Sequence, residues 1–338
     1  MRASRILQCA FLALAATLAL PAGAWIRSPA TTFATLPEGT AHPEGITADA
    51  SGNLYVANFD VSKAGGPGNI VVFNRAGKFV RTLDVAGSSN LLLGIAFHPQ
   101  TGALLVADLG SGSVLSVDPL TGSSAVFAPI PGASPGPNAL AFDASGNVYI
   151  SDSFQNTIWR TGPAGGAPVA WAVDAVLGTS GVPPFGANGM AFNQAGDALF
   201  VANTGNDTVV RIPVAGGVAG APAVFVNSIN GADGLAIDAE DNLWVAANQA
   251  NEIVVLDPSG RAIAKLGDFD GIDPRGAANG LLFPASLVIS NGFAYVTNLA
   301  LDLRLFGLPQ TVDSQWAAEV TRHTVARIRA RIPPVQGY

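Results

Sequence analysis

The chain has 338 residues, of which 49% are hydrophobic and 12% charged. That balance excludes a disordered chain, which needs low hydrophobicity and high charge, and a coiled coil, which needs Glu, Lys and Arg in quantity. With 17 basic against 24 acidic residues and a net charge of −7, nucleic-acid binding is also disfavoured, because phosphate recognition needs clustered Lys and Arg.

The first element is a leader. Arg2 and Arg5 open an apolar run over 6–20 that only Gln8, Cys9 and Thr17 interrupt, and Pro21 then precedes Ala22-Gly23-Ala24. The run is short for a bilayer span, and the small-x-small ending reads as a cleaved secretory signal over 1–24. Cys9 lies inside the run rather than after it, which sets lipoprotein attachment aside. The mature chain, 25–338, is expected to be secreted or periplasmic. It keeps no cysteine, so thiolate catalysis, disulfides and Cys-bound metal are excluded. Nothing after residue 24 reads as a membrane span.

A repeat follows. Its first copy is Pro43-Glu44-Gly45-Ile46-Thr47-Ala48-Asp49, a turn, then Asn53-Leu54-Tyr55-Val56-Ala57-Asn58. Related copies open at Leu93, Asn138, Asn188, Asp233 and Ala285, 45–52 residues apart. The copies at Leu93 and Ala285 are looser. Connectors such as Ala50-Ser51-Gly52, Ala144-Ser145-Gly146 and Asn291-Gly292 supply the positive φ that tight hairpins require. Third strands are expected at 70–73, 114–117, 157–160, 208–212 and 252–256. Weaker fourth strands are expected at 79–83, 125–128, 169–173, 223–226 and 263–266. Four strands per unit and six units predict an all-β chain folded as a six-bladed β-propeller, in a single domain. The sixth unit has its third strand late, over 325–332, where apolar residues alternate with Arg327, Arg329 and Arg331; a basic amphipathic helix is the alternative. Residues 31–36 are expected to supply that blade's outer strand, so that an N-terminal strand closes the ring and removes an exposed edge. Residues 299–322 have no counterpart in the other units and form an insertion, read as a lid.

First strands line the channel of a propeller, so the residue before each apolar triplet sits at one mouth. In order these are Glu44, Leu93, Asn138, Asn188, Asp233 and Ala285, and the residue after them is small in five units. Taken singly, Asn or Asp before a strand is a turn former. Two carboxylates and two carboxamides in register describe a site for a hard divalent cation, Ca²⁺ before Zn²⁺, Mn²⁺ or Mg²⁺. Histidines are few, His42, His98 and His323, which disfavours a His-rich zinc site.

The units GANGMAFNQAGDALFVANTGNDTVVRI and GADGLAIDAEDNLWVAANQANEIVVLDPSGR resemble the senescence-marker-protein/gluconolactonase family, which includes regucalcin. The Glu, Asn, Asn, Asp order is also similar to that of the wider set of calcium-dependent propeller hydrolases, the diisopropylfluorophosphatases and paraoxonases. The resemblance covers roughly residues 40–300. It implies a central divalent metal held by Glu44 in Pro-Glu-Gly, Asn138 in Pro-Asn-Ala, Asn188 in Ala-Asn-Gly and Asp233 in Ala-Asp-Gly. Two positions depart from the family pattern. Ile46 stands where many relatives have Pro, and Gly136 where sugar-lactone-binding members often carry Arg. Leu93 and Ala285 give the mouth apolar walls, which suits a less polar ester or lactone.

The expected function is metal-dependent hydrolysis of a small-molecule lactone or ester. The cation polarises the carbonyl and acidifies water, and Asp233 acts either as general base or as a plain ligand. Glu44 reads as a ligand. His42, two residues away, reads as a structural residue or a second base. His98 replaces a turn Asp and is expected at a hairpin. Trp159, Trp171 and Trp244 read as blade packing, and Trp316, in the insertion, is the candidate to stack on substrate. A serine-nucleophile elbow needs a strand-to-helix turn, which an all-β propeller lacks. The alternative is a non-enzymatic propeller like the NHL repeats, binding a protein or glycan through one face; a third reading is a metal-free propeller resembling strictosidine synthase. The register of Glu44, Asn138, Asn188 and Asp233 argues against both.

Overall fold

The computed structural model describes residues 28–308 and 312–332; the expected signal over 1–24 and the mature start near Trp25 lie outside them. Six antiparallel sheets make six blades. Their innermost strands are Pro43–Ala48, Leu92–Phe97, Pro137–Phe142, Ala187–Phe192, Ala232–Ile237 and Pro284–Ser290. Each packs on the innermost strand of the next blade, and that of blade 6 packs on blade 1, which completes the ring. Second strands such as Leu54–Asn58 and Leu104–Asp108 are buried along their whole length, as expected of short continuous apolar runs. Outer strands such as Phe79–Asp84 are mostly exposed. The cores lie between blades: Ile70, Val72 and Leu83 of blade 1, for example, pack on Leu92, Leu104 and Val106 of blade 2.

The hairpin between first and second strands uses one repeated device. The Asp49 carboxylate accepts the Ser51 and Asn53 N–H groups at 2.9 and 2.8 Å, and Asp143 and Asp238 do the same in blades 3 and 5. In blade 2 His98 takes over this task. Its Nδ1 accepts from the Gln100 and Thr101 N–H groups, both at 3.2 Å, while Nε2 donates to the Gly146 carbonyl at 2.9 Å.

Blade 6 runs Pro284–Ser290, Phe293–Asn298, Thr324–Arg329 and then Thr31–Thr35 from the other end of the chain. Thr31 faces Arg327 and Thr35 faces Thr324, so the expected N-terminal strap closes the ring. The late third strand is a strand, as the alternation indicated, and ends at Arg329. Two hairpins escaped the sequence reading. Thr208–Ala215 of blade 4 extends to pair with Val218–Ala219 before the outer strand Ala223–Val226. Phe269–Ile272 pairs with Ala278–Gly280 between blades 5 and 6.

All six innermost strands break register at the same place. In blade 1 Pro43 pairs with Asn58 and Ile46 with Val56, leaving Glu44-Gly45 as a bulge; the other five repeat the break. A bulge releases the ladder and re-aims a side chain. It also brings neighbouring blades very close. A Cβ on Gly45 would overlap the Leu93 carbonyl oxygen, one on Gly94 that of Asn138, one on Gly189 that of Asp233 and one on Gly234 that of Ala285. Gly45→Ala is therefore expected to destabilise the fold by about 1–3 kcal/mol through backbone overpacking, read as a lower urea midpoint at unchanged slope. An unchanged midpoint shows that the ring is not tightly closed there.

Candidate functional site

The bulges deliver Glu44, Asn138, Asn188 and Asp233 to one axial cavity, and all four are at least 95% buried. Leu93 lines the same cavity. Ala285 does not; it is fully buried in the apolar cluster around it. The residue just after each second strand forms a second tier. Phe59, Thr204, Asn248 and Leu299 of that tier also line the cavity.

The two tiers are wired together. Asn138 Nδ2 donates to Ser153 Oγ at 3.0 Å, and that hydroxyl donates to the carbonyl of Ala187, the residue before Asn188, at 2.8 Å. Asn188 Nδ2 donates to Thr204 Oγ1 at 2.9 Å, and that hydroxyl donates to the carbonyl of Ala232, the residue before Asp233, at 2.8 Å. Asn248 Nδ2 donates to Asp233 Oδ2 at 3.0 Å. Thr297 Oγ1 donates to the Glu44 carbonyl at 2.7 Å and accepts the Ser286 N–H at 3.0 Å. Backbone groups that the bulges free from the ladder thus regain partners, and the amide nitrogens are tied back.

What remains is a surplus of acceptors. Glu44 Oε2, Asn138 Oδ1, Asp233 Oδ1 and Asn248 Oδ1 are buried without a hydrogen-bond partner, and among the described residues no Lys, Arg or His lines the cavity. Burial raises the pKa of Glu44 well above the ordinary 4.5, and the neighbouring Asp233 charge raises it further. Burial raises Asp233 from 3.8 to about 7, although the neighbouring Asn248 and Asn188 amides pull in the opposite direction. Unpaired buried carboxylates are costly and call for a positive charge. Among the described residues no group of three or more His, Cys, Asp and Glu side chains comes together as a metal site. Here two carboxylates are supplemented by carboxamides, and an all-oxygen set of that kind fits a hard divalent cation.

Asn248 is the site residue that the sequence reading missed. It opens a short 3₁₀ turn after the strand Leu243–Ala247, and its equivalents Ser153 and Thr204 are hydroxyl residues, so no repeated letter marks it. Three expected site residues lie elsewhere. His42 holds a left-handed φ of +55°, bonds the Leu299 carbonyl through Nδ1 at 3.1 Å and stacks edge-on against His323 at 4.7 Å. Burial lowers the pKa of both rings, that of His323 to about 3; this is a structural pair rather than part of the cavity wall. Trp316 lies on the helix Val312–Ala317, packs against Phe269 at 5.6 Å and does not line the cavity. Ala285, as above, is beneath the surface. Among the described residues, Trp244 and Trp159 bond through Nε1 within their blades, to Asp238 and Asp152, and Trp171 of blade 3 bonds the Gly217 carbonyl of blade 4. The start of the 299–322 insertion does reach the cavity, through Leu299, Leu301 and Leu303.

Residues 92–267, just over half of the chain, match the family model described as the SMP-30/Gluconolactonase/LRE-like region. No curated protein matches the sequence. Among solved structures, a gluconolactonase from Xanthomonas campestris superposes with a TM-score of 0.62 at 15% identity, over 92% of this chain and 99% of its own. The calcium-binding protein regucalcin from Agrobacterium tumefaciens gives 0.61 at 18% identity, over 92% and 99%. A virginiamycin B lyase from Staphylococcus aureus gives 0.57 at 13%, over 87% and 82%. At these identities the likeness is one of fold.

Two measurements test the electrostatics. Both carboxyls bind a proton more tightly in the fold than in the unfolded chain, so the chelator-treated protein loses stability as pH rises from the ordinary aspartate value of 3.8 towards about 7. Its melting temperature is expected to fall across that window and to be restored by millimolar CaCl₂, most strongly at the upper end. No response to divalent cations at any pH removes the cation reading. Thr204→Val, which unties the Asn188 amide, is expected to weaken calcium binding by about tenfold or more, measured by calorimetric titration.

Proposed function

This chain belongs to the SMP-30/gluconolactonase/LRE-like family, and on that premise we propose that it is an exported, divalent-cation-dependent hydrolase of a lactone or ester. The observation that carries the reading is the set of four unpartnered buried oxygens, two of them from carboxylates, in one axial cavity. Glu44, Asn138, Asn188 and Asp233, with Asn248 beside them, are the residues that would hold the cation. When bound, a divalent cation supplies electrophilic polarisation of an acyl carbonyl and lowers the pKa of nearby water.

The protein's own contribution follows from its titratable groups. Among the described residues, Glu44 and Asp233 are the titratable groups that line the cavity, and no Ser, Cys, Lys or His of that set lines it as nucleophile or base. Asp233 has one oxygen fixed by Asn248 and the other free. That free oxygen places Asp233 to accept the proton of a water attacking the acyl carbon. The carbon–oxygen bond of the ring or ester then breaks, and the same proton passes to the departing alkoxide, giving the hydroxy acid or the acid and alcohol. Glu44, also desolvated and bonded through its backbone carbonyl rather than its carboxylate, would serve as a ligand to the cation rather than as a base. Thr204 and Ser153 act by holding the amides and have no free hydroxyl proton for the substrate.

The test is hydrolysis of a panel of lactones and aryl esters after EDTA treatment, then with Ca²⁺, Zn²⁺, Mn²⁺ or Mg²⁺ restored. Turnover that disappears with chelator and returns with one of the cations is expected. Asp233→Ala is expected to lower kcat by about 10²–10⁴-fold while circular dichroism shows the same strand content. Full activity in that variant removes Asp233 from the reaction, and absence of cation-dependent turnover across the panel favours a binding module.

A further inference from the structure

One wall of the axial cavity is continuous and apolar. Phe59, Leu93, Phe283, Leu299, Leu301 and Leu303 belong to one buried cluster, and all six line the cavity that holds Glu44 and Asp233. They come from blades 1, 2 and 6 and from the insertion. Of the polar residues, Asn138, Asn188, Thr204, Asp233 and Asn248 come from blades 3, 4 and 5, and Glu44 comes from blade 1. Apart from Glu44, the oxygen set thus faces a hydrocarbon wall, with Pro183 and Phe185 adding apolar surface on its own side.

The wall is held in place at some cost. Phe283 and Ala300 adopt left-handed φ values of +47° and +46°, a conformation that bulky residues avoid and that persists where the surroundings enforce it. The Phe283 N–H donates to Asn251 Oδ1 at 2.7 Å, which pins the bend that turns this ring towards the axis. Apolar surface also continues outward. Phe306, 44% exposed, stacks on Phe59 at 6.2 Å with an interplanar angle of 18°, and Leu305 beside it is exposed as well. On the other rim Phe185 lines the cavity and packs at 5.4 Å against Phe154, itself exposed.

A polyol fits such a wall poorly. Each hydroxyl pressed against it would lose water and find no partner, and an unmet buried polar group is penalised. A hydrocarbon substituent gains by the same burial. We infer that the substrate is a lactone or ester bearing a hydrophobic chain or ring, seated on the Phe59–Leu303 wall, with its acyl group turned to the polar half. Leu303 and Phe306 are specificity-determining residues that guide the chain to the rim. The inference rests on the hydrolase reading above and names its substrate class.

The experiment compares gluconolactone with a series of γ-lactones whose alkyl side chain lengthens from none to eight carbons, all with the calcium-loaded full protein. kcat/KM is expected to rise about fourfold per added methylene until the chain reaches the rim, and gluconolactone is expected to fall well below the longest member. Leu303→Asn and Phe306→Ser are expected to flatten this rise, lowering kcat/KM for the longest lactone by about tenfold more than for the unsubstituted ring. Phe306 is half-exposed, so its variant remains informative if Leu303→Asn does not fold. Calorimetric titration with 4-hydroxydecanoate, the ring-opened product of the six-carbon member, against gluconate gives a readout apart from turnover, with tighter binding and a negative heat-capacity change expected for the former. Preference for gluconolactone, or a rate independent of chain length, overturns the substrate class and leaves the hydrolase reading intact. Turnover of neither class removes the hydrolase reading; the titration then decides the apolar site, and no binding of hydroxydecanoate overturns it.

Discussion

Everything at the axis depends on how closely six strands can approach one another. Gly45, Gly94, Gly189 and Gly234 lie where a side chain would strike the next blade's carbonyl. The bulge that contains them leaves the preceding residue nowhere to point but inward. Fold and site therefore share one cause: the register break that lets the ring close also loads the cavity with Glu44, Asn138, Asn188 and Asp233. A blade without a polar residue there, such as the second with Leu93, keeps the same break and fills the position with hydrocarbon.

The hydroxyl bonds make this arrangement directional. Ser153 and Thr204 each link an amide in their own blade to the carbonyl just before the site residue of the next. A change in one blade's side chain is therefore felt in the backbone of its neighbour. The nitrogens are drawn outward and the unpaired oxygens are left facing the axis. The cavity combines low polarity, two carboxyls that resist ionisation and no compensating cationic side chain. Such a combination destabilises the bare protein and favours whatever positive charge enters.

The blades and the column of mouth residues were legible because the repeat is local: an apolar triplet, an Asp-led turn and a second apolar run lie within about twenty residues, and hairpin register follows from turn chemistry. Even the exception was readable, since His98 stands where an Asp stands elsewhere and likewise accepts two backbone N–H groups of its turn. Asn248 was hidden because its tier is filled by Phe, Ser, Thr, Asn and Leu in different blades; only three-dimensional superposition puts these residues at one level. The extra hairpin at 269–280 and the left-handed bend at Phe283 carry no repeat signal either, and both determine how blade 6 meets the axis. Ala285 and Trp316 show the limit of position alone. The first is in register but too short to reach the surface, and the second sits on an element whose partner, Phe269, belongs to that unforeseen hairpin.

The strand that completes blade 6 comes from the opposite end of the chain, with Thr31–Thr35 paired to Thr324–Arg329. A ribosome delivers the first of these segments long before the second. Until the last one emerges, the first blade lacks a neighbour on one flank and Glu44 has no bond from Thr297, which is itself encoded near the end. Contacts of such long sequence separation form late and slowly. The growing polypeptide can stack its early blades one after another, but the chemistry at the axis has to wait for the final residues.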